Sequence, residues 1–442
     1  MKALGIDLGT TKVAAIIYDE TSGVEAVASQ PHNAAAANSD PTVFEQDVNM
    51  IMLCAEQLLS QLPEQLLAGI SAIGVTCQMH SLLLRNGKEI SPLVTWHDRR
   101  CGQALLDNFN RQSGLDLHEG FGGTTLAYLA QKKFLTPAMQ TATISDFLTM
   151  RLSGNQKVIT DPTHAASWGL YDPGSRSWNR SAIEKLNIPT DILPEIRPCG
   201  SVIGTVSAEY KCKYNLPVGT KIINAIGDNQ ASITGTGNNF ENEIFLTLGT
   251  GAQLSMVCSD IPEKLPANIE LRPFPGDRQL MVSAPLCGGA AFAVLADTIN
   301  NFRVTLKEEK LDRGKLLDKL DECAMEYIQT NGEPEIRIDP HFLGERYAPD
   351  LRGSIDGLTL TNATPGALAA ALAFGIVRNL KKDFPPDVIR SRQVVIGSGN
   401  AVRFIKSIQY AIEKEFSLPL ILSPEREEAA VGAARQALAA LH

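Results

Sequence analysis

Two short runs carry the chemistry of this chain most directly. Asp7-Leu8-Gly9-Thr10-Thr11 ends an apolar segment, and Thr247-Leu248-Gly249-Thr250-Gly251 repeats its pattern half a chain later. A tight Gly-Thr turn between two strands points backbone N–H groups and threonine hydroxyls into the space it encloses. Such a concavity binds anions and suits phosphate oxygens. Thr10, Thr11, Gly249 and Thr250 are the candidate phosphate contacts. Asp7 stands two residues before the first turn, at a strand end, where a carboxylate can hold Mg2+ against the same phosphates. One such turn reads as an ordinary hairpin with a solvated aspartate. Two, each opening a similar unit, read as a grip on a nucleotide from both sides of a cleft.

A third glycine element, Gly397-Ser398-Gly399-Asn400, follows a strand and opens a helix. It can seat a nucleoside while the helix N-terminus faces the phosphates. It lacks the third glycine of a dinucleotide fingerprint, which argues against NAD, and the absence of G-x-x-x-x-G-K-[ST] removes the P-loop class. Gly227-Asp228-Asn229-Gln230 follows the apolar residues 222–226. An aspartate at a strand end in a glycine turn is placed to act as a general base. It reads equally as the cap of a helix beginning at Gln230, and the two roles do not conflict. Gln78-Met79-His80 ends another apolar run, where backbone groups satisfy a lone histidine as readily as a ligand does.

Strands at 2–8, 12–18 and 24–29 would place the first turn, and a strand at 70–77 would lie beside them. Residues 31–46 read as a surface loop. Asp47 then caps a helix with apolar Val48, Met52, Leu53, Leu58 and Leu59. A short strand is expected at 94–96, and helices dominate from Asp98 to Gln230. Strands return at 244–248, 253–258 and 393–396, followed by helices at about 402–416 and 427–441. A strand–LGT–strand unit that recurs once points to two similar domains. The expected boundary near 235–242 divides the chain into 1–238 and 239–442.

The 442 residues suffice for two or three domains at about 150 residues each. Forty Lys and Arg against 49 Asp and Glu leave a net charge of −9, which disfavours nucleic acid and anionic membrane as partners. Eight cysteines without C-x-x-C spacing, and His97, His118, His164 and His341 without metal spacing, read as reduced thiols and structural histidines. With no signal-like N-terminus and no apolar run of roughly 20 residues, the expectation is a cytoplasmic globular protein, monomer or homodimer.

Together, the motifs at Asp7–Thr11, Glu45-Gln46-Asp47, Gly227–Asn229, Leu248–Thr250 and Gly397–Asn400 resemble the FGGY carbohydrate kinases. Leu343-Gly344-Glu345-Arg346, Pro349, Arg352-Gly353 and Gly357-Leu358 are similar to the distinctive C-terminal stretch of that family. The resemblance implies an α/β fold of two ribonuclease-H-like domains, as in actin, hexokinase and Hsp70, closing over ATP and a sugar. Trp96-His97-Asp98-Arg99 and Ala165-Ala166-Ser167-Trp168-Gly169 look most like the sedoheptulokinase branch. Thr125-Leu126-Ala127-Tyr128-Leu129 departs from the Lys and Trp of many members. The implied reaction is ATP-dependent phosphorylation of a ketose at a terminal hydroxyl. Sedoheptulose is the first substrate, and xylulose, ribulose or another polyol is the alternative. The resemblance implies Asp228 as base, Asp7 as the Mg2+ carboxylate, and Met79, His80, Trp96, Asp98 and Asn229 as sugar contacts. Thr10, Thr11, Gly249, Thr250, Gly397, Ser398, Gly399 and Asn400 would hold ATP. Trp96 reads equally as core, Asp161 and Trp168 are placed near the cleft, and Glu345 with Arg346 would form a buried brace. An actin- or Hsp70-like nucleotide switch would share the glycine turns but needs neither base nor sugar pocket.

Overall fold

The structure is a computed structural model that describes residues 1–249, 251–259, 261, 265–266, 268–345, 348 and 350–442. Contacts divide the chain into two units. One is Met1–Thr236 with Pro273–Asp277 and Glu425–His442, and the other is Gly237–Arg272 with Arg278–Pro424.

In the first unit β1 (Lys2–Leu8), β2 (Lys12–Asp19) and β3 (Gly23–Pro31) form an antiparallel meander. The helix α1 (Val48–Gln61) follows, capped as expected by Asp47, whose carboxylate accepts from the amides of Asn49 and Met50. Its apolar stripe covers the sheet through Val48, Met52, Leu58 and Leu59, while Leu53 points to solvent. The next strand, β4 (Ile70–Cys77), runs parallel to β1. After α2 (Ile144–Ser153) and α3 (Pro162–Ser167), β5 (Val202–Thr205), β6 (Lys221–Ile223) and β7 (Ile226–Gly227) extend the sheet on the β4 side. The unit's last internal helix, α4 (Asp228–Thr236), begins directly after β7. The strand expected at 94–96 is shorter, Leu93–Val94, and Glu45-Gln46 pairs with it inside the expected loop.

The second unit repeats this order. β8 (Glu243–Leu248) and β9 (Ala252–Cys258) form an antiparallel pair, with β10 (Ile269–Phe274) and β11 (Arg278–Ser283) beyond β9. The helices α5 (Gly289–Thr305), α6 (Arg313–Asn331) and α7 (Pro365–Lys381) follow, and α7 is buried along most of its length. Next, β12 (Val394–Ser398) pairs parallel to β8, as β4 does to β1. Two helices, α8 (Asn400–Phe404) and α9 (Lys406–Phe416), and the strand β13 (Leu420–Leu422) complete it.

The final helix, α10 (Glu428–Ala439), belongs to the first unit, although the sequence reading assigned it to 239–442. The physical reason is a set of glycines. A Cβ on Gly5 or Gly74 would lie 2.0 or 1.9 Å from the carbonyl oxygens of Ala430 and Ala433, and one on Gly432 would lie 1.7 Å from that of Ala231. Only bare backbone permits α10 to lie this close to β1, β4 and α4. Ala430, Val431, Ala434, Ala437 and Leu438 pack there against Ala3, Ala14, Ile16, Ala72 and Ile223. The opposite face of the sheet carries the larger core of Leu4, Ile6, Ile73 and Val75 with α1 and α2. No helix among the described residues is long and apolar enough to cross a membrane.

Candidate active site

Asp7 on β1, Thr76 on β4 and Ile226 on β7 form one row across three parallel strands. Side chains alternate along a strand, so Asp7 shares its face with Ala3 and Gly5, the face that α10 covers. The carboxylate emerges where that apolar face runs out, near Glu427 at the start of α10. Asp228 follows β7 directly and opens α4, so the cap of a helix starting at Gln230 is not what forms. Its Oδ1 accepts the amide N–H of Asn229 at 2.8 Å. These strand ends are where open α/β sheets place ligands.

Burial, and next the charges of Asp228 and Glu427, push the Asp7 carboxyl up to about 8, against the opposing Lys12 ammonium. Lys12 Nζ lies 2.6 and 2.7 Å from the two Glu427 oxygens. Asp7 Oδ1 is sealed from solvent without a hydrogen-bond partner, as is Thr76 Oγ1. Carboxylates gathered about an unsatisfied buried oxygen suit a hard divalent cation. Among the described residues no group of three or more His, Cys, Asp or Glu is placed to hold a metal ion. An ion held at Asp7 would therefore take most of its ligands from water and phosphate, as Mg2+ can.

Beside this centre runs a polar network. Trp96 Nε1 donates to Thr10 Oγ1 at 3.1 Å, Thr10 Oγ1 donates to Gln78 Oε1 at 3.4 Å, and Gln78 Nε2 donates to Gln46 Oε1 at 2.9 Å. Gln46 Nε2 returns to the Thr10 carbonyl at 2.7 Å. Thr10, expected at phosphates, is thus tied to Trp96, expected at sugar, and Thr11 is exposed. Trp96 is 37% exposed and stacks on His97, so it is not core. Met79 is buried beside Gly227, where an added Cβ would meet its Sδ at 3.2 Å.

His80 adopts φ +69°, stacks on Phe121, and donates Nδ1–H to the Ser167 carbonyl at 2.6 Å. With Nδ1 donating, Nε2 is the acceptor nitrogen whenever the ring is neutral. Asn229 is the second residue of α4. Asp98 behaves otherwise than expected of a sugar contact. It is 3% exposed, and its oxygens accept from Phe44 N and from the Arg100 guanidinium, which also reaches Glu45. Trp168 is core, with its Nε1 donating to Ser81 O, and Asp161 caps α3 from full burial.

The second unit gathers its glycines at the corresponding strand ends. Gly399, with φ +84°, passes so near β8 that a Cβ would lie 2.4 Å from the Leu248 carbonyl oxygen. Gly289, the first residue of α5, approaches the Gly249 carbonyl equally closely, and Gly288 approaches Gly251. Gly249 and Gly251 themselves face open space, a cradle that side chains would fill. Gly249 N–H is engaged with the Gly251 carbonyl at 3.0 Å, which closes the turn on itself. Ser398 Oγ and Thr247 Oγ1 lie 2.8 Å apart, Gly397 packs against Val402 and Leu420, and Asn400 opens α8. Thr250 and Arg346 lie outside the described residues. Glu345 braces His341 at 2.9 Å and accepts from Leu286 N, so its buried partner is a histidine.

Sequence reasoning did not select Lys12, Gln46, Gln78, Glu427 or the Gly288-Gly289 pair as site residues. Gln46 and Gln78 stood inside runs already singled out, and a glycine pair before an apolar helix is the same signal as Gly397–Asn400. Glu427 had no local signal, since only the return of α10 brings it near Asp7.

The chain is similar to several known proteins. Sedoheptulokinases of Mus musculus and Homo sapiens are each 30% identical to it, over 98% of this chain and 96% of theirs. Among solved structures, a xyloylose kinase from Brucella ovis is 22% identical with a TM-score of 0.85, covering all of this chain and 90% of that one. A Plasmodium falciparum glycerol kinase solved with ADP is 19% identical with a TM-score of 0.80, over all of this chain and 89% of that one. These two structural likenesses speak to the fold, which is that of the sugar kinases. The family model for the N-terminal domain of the FGGY family of carbohydrate kinases matches residues 2–235, the span that carries Asp7, His80 and Asp228, and the chain belongs to that family.

Proposed function

We propose that this carbohydrate kinase transfers the γ-phosphoryl group of ATP to a terminal hydroxyl of a ketose. Sedoheptulose is the preferred acceptor, and xylulose, ribulose or another polyol is the second reading. The convergence of Asp7 and Asp228 at the ends of two parallel strands that flank β4 carries the proposal. Phosphoryl transfer requires an aligned acceptor hydroxyl, neutralised phosphates and removal of the acceptor proton. Asp228 takes that proton as the hydroxyl oxygen bonds to phosphorus, while the bond from phosphorus to the ADP oxygen breaks. Mg2+, when bound at Asp7, would neutralise charge on the β- and γ-phosphate oxygens.

On the sugar side, His80 Nε2 accepts from a hydroxyl, Trp96 and Met79 form the wall, and Asn229 adds a polar contact. On the nucleotide side, the cradle of Gly249, Gly397, Ser398, Gly399 and Asn400 seats ATP, and Thr10 and Thr11 border the first turn. The sedoheptulokinase relatives support sedoheptulose as the first acceptor.

The decisive experiment is Asp228→Asn. An amide keeps the outline but takes no proton, so kcat should fall about 10²-fold or more with ATP and sugar affinity nearly unchanged. Retention of most of kcat would overturn the base. A coupled assay across C5 to C7 ketoses and polyols ranks the acceptors by kcat/KM, with sedoheptulose expected first.

A further inference from the structure

The short helix α3 carries two buried hydroxyls one turn apart, Thr163 and Ser167, and each holds a different part of the centre. Residues four apart on a helix share a face. Thr163 Oγ1 accepts the backbone N–H of Gly227 at 2.8 Å, the residue immediately before Asp228. The same hydroxyl donates its proton to Asp161, 2.8 Å from Oδ1. Asp161 is fully buried and also accepts from His164 N at 2.9 Å and Cys199 Sγ at 2.8 Å. With its one proton committed to a carboxylate, the Thr163 oxygen can only accept from Gly227, so the direction of the chain Asp161–Thr163–Gly227 is set.

Ser167 does the same for His80. Its Oγ accepts the His80 amide at 3.1 Å and donates to the His164 carbonyl at 2.8 Å, while its own carbonyl accepts His80 Nδ1–H. These bonds hold a non-glycine residue at positive φ, a conformation that persists only where the surroundings impose it.

We infer that α3 is a positioning element for the reaction. Thr163 aims Asp228 through the Gly227 amide, and the Ser167 hydroxyl holds the His80 backbone at its positive φ so that the ring meets the Ser167 carbonyl. Acceptor hydroxyl and base are thereby held against one rigid segment. The inference rests on the kinase reading above and adds Thr163 and Ser167 as positioning residues.

The test is steady-state kinetics, with the best ketose of the acceptor screen, on Thr163→Val, Thr163→Ser, Ser167→Ala and the pair Thr163→Val/Asp228→Asn. Thermal melting of each variant accompanies the kinetics. Thr163→Val should lower kcat about 10- to 100-fold with sugar and ATP KM within about threefold, and Thr163→Ser should recover most of it. In the Asp228→Asn background the valine should change kcat by less than about twofold, since residues acting as one unit are not additive. Ser167→Ala should instead raise sugar KM about tenfold, leaving ATP KM and kcat nearly unchanged. If valine does not fold, Thr163→Ala removes the same oxygen without added bulk and is read in the same way. Unchanged kcat in folded Thr163→Val or Thr163→Ala, or an equal loss in the Asp228→Asn background, overturns the inference. If Asp228→Asn keeps most of its kcat, the kinase reading fails at its base; if only Thr163→Val and Thr163→Ala keep wild-type kcat, the positioning role alone fails.

Discussion

At the residue scale, the centre depends on a few polar side chains whose geometry constrains what each can do. His80 is held by backbone through Nδ1, so substitution separates ligand contact from structural support. His80→Asn tolerates positive φ but cannot present a ring nitrogen. It should raise the sugar KM about tenfold with ATP KM within about twofold, whereas parallel loss for both ligands would mark a structural histidine. Asp7 makes the complementary case. Its Oδ1 has no partner, and Asp228 and Glu427 oppose its charge, so it contributes little to folding. Asp7→Asn should leave the melting temperature unchanged or higher while kcat falls about 10²-fold and its dependence on Mg2+ concentration flattens. Wild-type turnover at limiting Mg2+ would remove the metal role.

At the scale of elements, the seat of α10 is built from glycine. In isolation Gly432→Ala should favour the helix by about 1 kcal/mol through propensity. The new methyl would lie 1.7 Å from the Ala231 carbonyl oxygen, with backbone on both sides, so α4 and α10 must separate. Overpacking of this kind costs about 1–3 kcal/mol or more and outweighs the propensity gain. Urea unfolding should therefore show a lower midpoint for Gly432→Ala, and also for Gly5→Ala. Gly23 has no atom within 4 Å of an added Cβ, but its φ of +82° would strain any other residue there. A glycine-free control is better made on the exposed Leu53, where Leu53→Gln should move the midpoint little.

At the scale of the whole molecule, the chain order and the folded units differ. Residues Glu425–His442 come last yet cover one face of the first sheet, with Ala430, Ala434 and Leu438 buried there. A polypeptide ending at Thr236 leaves Ala3, Ala14, Ile16 and Ala72 uncovered and should aggregate or lack near-ultraviolet circular dichroism. Joining residues 425–442 to it through a flexible linker should restore a cooperative melt, and an equally soluble, cooperatively folding 1–236 fragment would refute the dependence.

The local part of this design is legible in the amino-acid order. Apolar runs located β1, β4 and β8, with Gly-Thr turns marking the ends of β1 and β8, and Asp47 marked the start of α1 because capping and strand alternation are short-range properties. The repeated turn likewise announced two similar halves, and the sheets share that order. Three matters waited for the tertiary structure. Asp98 proved to be occupied by Arg100 and Phe44, because a carboxylate's partners depend on which loops fold beside it. Thr163 and Ser167 gained meaning only when α3 came to lie against Gly227 and His80, residues 64 and 87 positions away in the chain. Glu427 reached Asp7 across nearly the whole sequence, since α10 finds its place by the absence of side chains on strands near the other end of the chain, a complementarity of surfaces that no window of neighbouring residues contains.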